Sequence, residues 1–251
     1  MLQNSYIHIP YVGYATERKI WNSGVKDWES FDFDKVNFPS FRKKHIKKFV
    51  ELSIECFNNG NYSFFSSLMP KNEHWRCLKD FPKIAYLDIE TTGLDKAHDD
   101  ITLIGVYDGF KVKSFLRGRD FLKFKEHISK FPLIVTFNGS SFDLPFISSK
   151  LGIKFDQLHV DLRFAFSRLG ITGGLKRIER MFELERSPET SNLNGLDAAH
   201  LWYKYVNGDD NALELLKKYN SEDVIGLKIL SKRAYSMLKE RLVEGFGQVK
   251  E

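Results

Sequence analysis

The sequence predicts an α/β protein in which a mixed five-stranded sheet, flanked by helices, follows a small helical N-terminal region. Residues 1 to about 80 carry apolar residues at helical spacing. From Lys83 onward, three β-like runs come in succession, and further strands then alternate with helices. We therefore expect a helical region over residues 1–80 and an α/β domain over residues 81–251.

One long amphipathic helix is expected in the N-terminal region. Ser40 precedes a stretch of apolar residues at helical spacing, and Asn58-Asn59-Gly60 supplies a stop. The first turns of this helix gather cations, which are slightly unfavourable against the helix dipole: Arg42, Lys43, Lys44, Lys47 and Lys48. These side chains form either a solvated face or a surface that contacts phosphate.

Residues 7–31 resemble a variant of the helix-hairpin-helix. Such hairpins usually carry a glycine two residues before Gly13, because a glycine there lets backbone N–H groups approach phosphate. This chain has Tyr11 at that position. The hairpin is therefore expected either to bind phosphate directly or to have a purely structural role in docking.

Turn residues divide the rest of the chain into short elements. Asp108-Gly109 is typical of a tight hairpin between the second and third strands. The predicted strands are Lys83–Glu90, Ile101–Asp108, Phe110–Leu116, Leu133–Phe137 and Leu158–Leu162, the predicted helices are Phe121–Lys130 and Ser141–Leu151, and the remainder is mostly helical through about Arg241.

Charge and cysteine content narrow the class of protein. The net charge of +5 and the isoelectric point near 9.0 mildly favour a polyanionic partner. Cys56 and Cys77 lie 21 residues apart without a neighbouring histidine, so neither a thiolate zinc site nor a disulfide framework is indicated. The N-terminus lacks a signal-peptide pattern, and no apolar run approaches the length of a membrane span. We expect a cytoplasmic protein without a membrane partner.

The first predicted strand ends in two acids. Side chains two positions apart on a strand point to the same face, so Asp88 and Glu90 converge while Ile89 faces the opposite side. Burying an unpaired carboxylate is costly, so such a pair favours a bound cation. The alternative is a strand end that simply emerges into solvent.

A third acid follows the fourth predicted strand. This strand runs into Asn138-Gly139 and then a helix, which places Asp143 in the first helical turn. Ser140 and Asp143 also stand in a capping-box relation, and an acid at a helix N-terminus is stabilising without any function. Taken alone, Asp143 is either a cap or a ligand.

A fourth acid lies near the C-terminus. Tyr219 and Asp223 share one face if their helix is continuous. Alternatively, Asn220 caps a helix that carries Asp223 at its third position, with Tyr219 packed against Val224.

Together these residues resemble the three motifs of the DEDD exonuclease superfamily in its tyrosine form. Asp88-Ile89-Glu90-Thr91-Thr92-Gly93-Leu94 resembles the first motif, Asn138 through Asp143 the second, and Tyr219-x-x-x-Asp223 the third. Position 218 is Lys, where the histidine form would carry His. The resemblance implies a ribonuclease H-like fold. Residues 173–179 and Leu201-Trp202-x-x-Tyr205 also resemble a branch of exonucleases with such a domain.

The resemblance implies a 3′–5′ exonuclease that uses two metal ions. It assigns two ions, Mg²⁺ or Mn²⁺, to Asp88, Glu90, Asp143 and Asp223. It gives Tyr219 the role of orienting the attacking water, as a hydrogen-bond partner rather than a strong base, because a free phenol has a pKa of about 10. The expected products are nucleoside 5′-monophosphates, and the expected substrate is single-stranded DNA or RNA, with DNA favoured.

Substrate contacts are expected beside these motifs. Thr91, Thr92 and Gly93 would grip the terminal 3′-OH, Leu94 and Phe142 pack either against terminal bases or in the core, and Asn138 either contacts substrate or shapes its turn. Asp161, at the end of a strand-like run, is expected to be structural.

Two other functions fit the same residues. One is a structure-specific endonuclease on the same fold, and the other is a non-catalytic nucleic-acid-binding module that uses the basic helix and the hairpin-like segment. The sequence leaves the oligomeric state open.

Overall fold

The computed structural model describes residues 1–32 and 34–247. The helices are α1 Tyr14–Asn22, α2 Ser40–Asn58, α3 Ser63–Leu68, α4 Phe121–Ile128, α5 Asp143–Leu151, α6 Leu162–Arg168, α7 Leu175–Met181, α8 Pro188–Ser191, α9 Gly195–Val206 and α10 Asp210–Gly247. The strands are β1 Ile84–Thr91, β2 Ile101–Tyr107, β3 Val112–Leu116, β4 Leu133–Thr136 and β5 Leu158–Asp161, and short 3₁₀ helices cover Leu2–Asn4 and Lys71–Cys77. Within these residues, no helix has both the length and the apolarity to traverse a bilayer.

The strands form one mixed sheet in the order β3-β2-β1-β4-β5. β1, β2 and β3 make an antiparallel meander, and β4 and β5 continue the sheet parallel to β1. At the β2–β3 turn, Gly109 has a φ of 98°, and the Asp108 carboxylate accepts hydrogen bonds from the backbone of Phe110 and Lys111. The predicted mixed five-stranded sheet and the predicted meander are confirmed.

The two faces of β1 belong to different cores, as the alternation along a strand requires. Leu87 and Ile89 pack with α4 and α5 in one core. Tyr86 packs on the other face, in a core that includes Val224 of α10. Asp88 and Glu90 therefore share the face covered by α10.

The N-terminal region packs against the sheet at β5. Helix α2 begins and ends where the sequence predicts, and it buries Ile46 and Val50. His74, in the second 3₁₀ helix, accepts a hydrogen bond from the backbone N–H of His159 at 3.0 Å. Residues of this region and of β4 and β5 belong to the same core. The division of the chain near residue 80 stays a prediction.

A buried ion-pair network ties the start of the chain to the second 3₁₀ helix. Arg76 is fully buried and donates to Glu17 at 2.8 Å, to Glu73 at 2.6 Å and to Ser5 at 2.9 Å. Glu73 also pairs with Arg168 at 3.0 Å. Because an unpaired charge at such a depth is costly, these four ionic groups stabilise the fold only as a set.

The hairpin-like segment, residues 7–31, contains α1 and the turn that precedes it. Tyr11 lies in this turn with a φ of 65° and a side chain that is 90% exposed. A tyrosine therefore adopts the left-handed backbone that favours glycine, at the position where such hairpins usually have one. The Tyr11 ring lies 6.0 Å from the His45 ring of α2.

Candidate active site

Three carboxylates meet where β1 passes under α10. One oxygen each of Asp88, Glu90 and Asp223 lies within 4.8 Å of the other two. Glu90 and Asp223 are buried, and Asp88 is half-buried. The alternative of a strand end emerging into solvent is therefore not what the structure shows.

Asp143 lies beside this group, against the backbone of β1. It occupies the first turn of α5, is 3% exposed, and accepts a hydrogen bond of 3.2 Å from the N–H of Ile89. Ser140 forms no capping box with it, because the Ser140 hydroxyl and backbone N–H both donate to Asp161. Asp143 therefore buttresses the strand between Asp88 and Glu90, and Asp161 holds the preceding loop.

Tyr219 and Asp223 lie one turn apart on α10, which is continuous from Asp210 to Gly247. Asn220 is therefore interior to the helix and caps nothing. Its amide Nδ2 instead donates to Asp88 Oδ2 at 2.9 Å and lies 3.4 Å from Glu90 Oε1. This bridge is missing from the sequence-based prediction, although Asn220 stands inside the third motif.

The residue opposite Asp88 on β2 makes room for this amide. Gly105 pairs with Asp88, and a Cβ at position 105 would lie 1.8 Å from the Asn220 carboxamide oxygen. The close approach of α10 to the sheet at this point therefore requires glycine.

The carboxylates are held in an environment that disfavours their charge. Burial raises the pKa of Asp88 and Glu90 well above the usual range, and the neighbouring acids, Asp223 first, raise it further. Burial also raises the pKa of Asp143 to about 7. A cation placed among these groups would relieve both the desolvation and the mutual repulsion.

An arginine and a second glutamate stand behind Asp223. The Arg186 guanidinium donates to Asp223 Oδ1 and, at 2.8 Å each, to both carboxylate oxygens of Glu179. Arg186 lies outside the three motifs, and no spacing in the sequence indicates its contact with Asp223. Glu179 lies within the segment 173–179, whose resemblance to the exonuclease branch implies no role for it.

Tyr219 is enclosed by the same group of residues. Its ring centroid lies 5.1 Å from Lys176 Nζ and 5.6 Å from the Arg186 guanidinium carbon. Burial, followed by the nearby carboxylates, raises the pKa of the phenol above its ordinary value. The hydroxyl therefore keeps its proton at neutral pH.

The expected substrate-binding residues of β1 continue into a tight loop. The Thr91 hydroxyl donates to the Gly93 carbonyl at 2.6 Å, and the Thr92 hydroxyl donates to Asp99 at 3.2 Å. Leu94 is 85% exposed, which excludes the core alternative for this residue.

The other two expected contacts have structural roles in this conformation. Phe142 is half-buried and packs edge-on against Phe146 at 5.4 Å. Asn138 has a φ of 65°, which asparagine tolerates, and its side-chain oxygen accepts a hydrogen bond of 2.7 Å from Arg163. Asn138 therefore shapes its turn in this conformation, and its contact with substrate stays a prediction.

The acidic cluster fits a hard divalent cation. Its ligand atoms are all carboxylate oxygens, which Mg²⁺ and Mn²⁺ prefer to nitrogen or sulfur. The raised pKa values point the same way, because an array of facing acids without a cation is strained.

A family model described as the RNase H superfamily matches residues 85–235, more than half of the chain. The chain belongs to the RNase H superfamily. The matched range begins in β1 and ends in α10, so it contains the whole acidic cluster together with Asp143 and Tyr219.

The solved structures to which this chain is similar include a polymerase and a nuclease. The family B DNA polymerase of the hyperthermophilic archaeon Pyrobaculum calidifontis is 19% identical, with a TM-score of 0.47 over 64% of this chain. The chain spans 24% of the polymerase's length. A structure described as the apo form of a nuclease is 16% identical, with a TM-score of 0.47, covering 68% of this chain and 81% of the other. The curated proteins include no sequence that matches.

Proposed function

We propose that this chain is a divalent-metal-dependent 3′–5′ exonuclease of the tyrosine-form DEDD type, which releases nucleoside 5′-monophosphates from single strands, with DNA favoured over RNA. The observation that carries the proposal is the convergence of Asp88, Glu90 and Asp223 within 4.8 Å under α10. Membership of the RNase H superfamily supports hydrolysis of nucleic acid.

Four acids would hold the metal. Asp88, Glu90 and Asp223 offer oxygens that already converge, and Asp143 adds a fourth carboxylate against β1. Two ions of Mg²⁺ or Mn²⁺ would supply Lewis acidity, which activates water and stabilises the leaving 3′ oxygen.

The protein's own groups would orient the reactants. Asn220 holds the Asp88 carboxylate by its amide, so that Asp88 and Glu90 keep one direction. Tyr219 would act through its protonated hydroxyl, as a hydrogen-bond donor to the phosphate or as a partner of the attacking water, because its raised pKa keeps the phenol protonated at neutral pH.

The strand terminus would lie over the end of β1. The Thr91-Thr92-Gly93 loop is held by hydrogen bonds of its own side chains, so it would meet the 3′-OH in a fixed shape. Leu94 presents an exposed apolar surface on which a terminal base could pack.

The N-terminal region would contribute affinity further from the reacting phosphate. Tyr11 exposes its ring 6.0 Å from the His45 ring of α2, a helix that also carries the exposed Lys44, Lys47 and Lys48. An exposed ring near a cationic helix suits a single strand, whose bases stack and whose phosphates are negatively charged.

The test is hydrolysis of a single-stranded oligonucleotide labelled at its 3′ end, in Mn²⁺ and in EDTA. We expect labelled mononucleotide from the first time point in Mn²⁺, none in EDTA, and at least about a thousandfold loss of rate in Asp88→Asn and Asp223→Asn. Glu126→Gln removes an exposed carboxylate on α4 and serves as a control that keeps the wild-type rate.

The products separate this proposal from its alternatives. Internal fragments without mononucleotides would indicate an endonuclease. Nucleic-acid binding without any metal-dependent hydrolysis, unchanged by both acid substitutions, would indicate a binding module.

A further inference from the structure

We infer that Glu179 and Arg186 form a charge-neutral positioning pair that holds Asp223 for the metal centre without repelling the metal. This inference rests on the proposed function, because it concerns the same site. It assigns a role to two buried residues outside the three motifs.

The geometry of Arg186 is that of a fixed clamp. Its side chain is 7% exposed, and its Nε and one terminal nitrogen form the two-pronged contact with Glu179 that arginine makes best. The same terminal nitrogen also donates to Asp223 Oδ1. Glu179 therefore fixes the plane of the Arg186 guanidinium, and the guanidinium in this fixed orientation donates to Asp223.

The charges explain why the clamp contains a glutamate. A lone arginine beside Asp223 would stabilise that carboxylate but would oppose a divalent cation bound to it. Glu179 is 4% exposed and offsets the arginine charge at contact distance. The pair thus orients Asp223 through a hydrogen bond and leaves the negative potential of the four acids largely intact.

Helix α10 has a glycine at the point where the Glu179 carboxylate packs against it. Gly226 lies three residues after Asp223, and a Cβ there would lie 2.9 Å from Glu179 Oε1. Glycine is unfavourable inside a helix, so its presence is explained by the close approach of this carboxylate.

Two residues of the segment 173–179 support the residues of the third motif. Gly173 has a φ of 135°, and the turn it makes begins α7, which carries Lys176 and Glu179. Lys176 lies over the Tyr219 ring, while Glu179 acts on Asp223 through Arg186. One short helix therefore supports both functional residues of the third motif.

The test is Mn²⁺ binding without nucleic acid, measured by the paramagnetic resonance signal of free Mn²⁺, on the full chain. Glu179→Gln leaves the arginine charge unbalanced, so we expect at least about tenfold weaker binding. Glu179→Gln/Arg186→Gln removes both charges and should return to within about threefold of wild type. Glu185→Gln removes an exposed carboxylate next to Arg186 in sequence and should change nothing.

A kinetic measurement separates positioning from folding. In saturating Mn²⁺, the double variant should lose about tenfold in kcat with little change in KM, because Asp223 is no longer oriented. Arg186→Lys should recover only part of kcat, since lysine lacks the fork.

Three results would overturn the inference. They are wild-type Mn²⁺ affinity in a folded Glu179→Gln variant, a double variant as weak as Glu179→Gln, and a double variant with wild-type kcat. Each leaves the proposed function standing if Asp223→Asn abolishes binding. Equal Mn²⁺ binding by wild type and Asp223→Asn, or none by wild type, would instead refute the metal centre itself.

Discussion

Neutralising Asp88 should stabilise the metal-free protein while removing its response to metal. Two unit charges 4.8 Å apart, the upper limit within the cluster, repel by about 3.5 kcal/mol at an effective dielectric of about 20. Asp88 faces two such neighbours, but it is half-buried, and solvent and partial protonation reduce the sum. We therefore expect Asp88→Asn to raise the free energy of unfolding in EDTA by about 2 kcal/mol at pH 8.

The sign with pH follows from the direction of the pKa shifts. Carboxyl groups whose folded pKa is raised bind protons more tightly in the folded state, so their penalty is complete above the folded pKa and fades as pH falls. The advantage of Asp88→Asn over wild type should therefore shrink as pH falls below 8. Its side-chain oxygen can still accept the Asn220 hydrogen bond, so local structure is retained.

The assay is urea unfolding followed by circular dichroism, in EDTA and in Mg²⁺. Mg²⁺ at about a hundred times its dissociation constant should add about 2.7 kcal/mol to wild type and much less to Asp88→Asn. A folded variant that is less stable than wild type in EDTA, or that gains as much from Mg²⁺, would refute the electrostatic reasoning.

Three further predictions concern residues around the site and in the N-terminal region. Gly105→Ala places a Cβ 1.8 Å from the Asn220 oxygen, so it should lower the free energy of unfolding in urea by about 2 kcal/mol and slow hydrolysis. Gly195→Ala is the control and should change neither, because its Cβ meets nothing within 4 Å. Burial lowers the pKa of His8 to about 3, so the unfolded chain takes up the proton first as pH falls from 7 to 5. Over this range the free energy of unfolding should fall by about 2 kcal/mol more in wild type than in His8→Phe. Equal losses would contradict this. Tyr11→Asn should raise the free energy of unfolding by about 0.5 kcal/mol, because asparagine tolerates the left-handed backbone better than tyrosine. It should also weaken binding of a single-stranded oligonucleotide severalfold in a fluorescence titration. Unchanged affinity would favour the structural role.

Most of the fold could be predicted because local patterns specify it. The apolar run of β1, which is buried on both faces, follows from the sequence, and so does the facing of Asp88 and Glu90 toward one side. The stop of α2 at Asn58 and the turn at Gly109 likewise depend on short-range chemistry. Local alternatives such as a cap at Asn220 could be rejected only once the length of α10 was known.

The supporting residues of the site could not be predicted, because they depend on contacts between distant parts of the chain. Asn220 meets Asp88 across 132 positions, and Arg186 meets Asp223 across 37. Neither Asn220 nor Arg186 lies at a sequence distance from its partner that would indicate the contact. Gly105 and Gly226 give the only local signal, since a glycine inside a strand or helix often marks a close approach, but the sequence does not say of what.

A crystal structure of the protein with Mn²⁺ and a short single-stranded oligonucleotide tests the central claim most directly. The proposal predicts anomalous peaks for manganese bounded by Asp88, Glu90 and Asp223, with Asp143 at the same centre and the 3′-terminal phosphate beside Tyr219. Manganese bound elsewhere with these acids unliganded, or a strand that enters by its 5′ end, would contradict the proposed exonuclease.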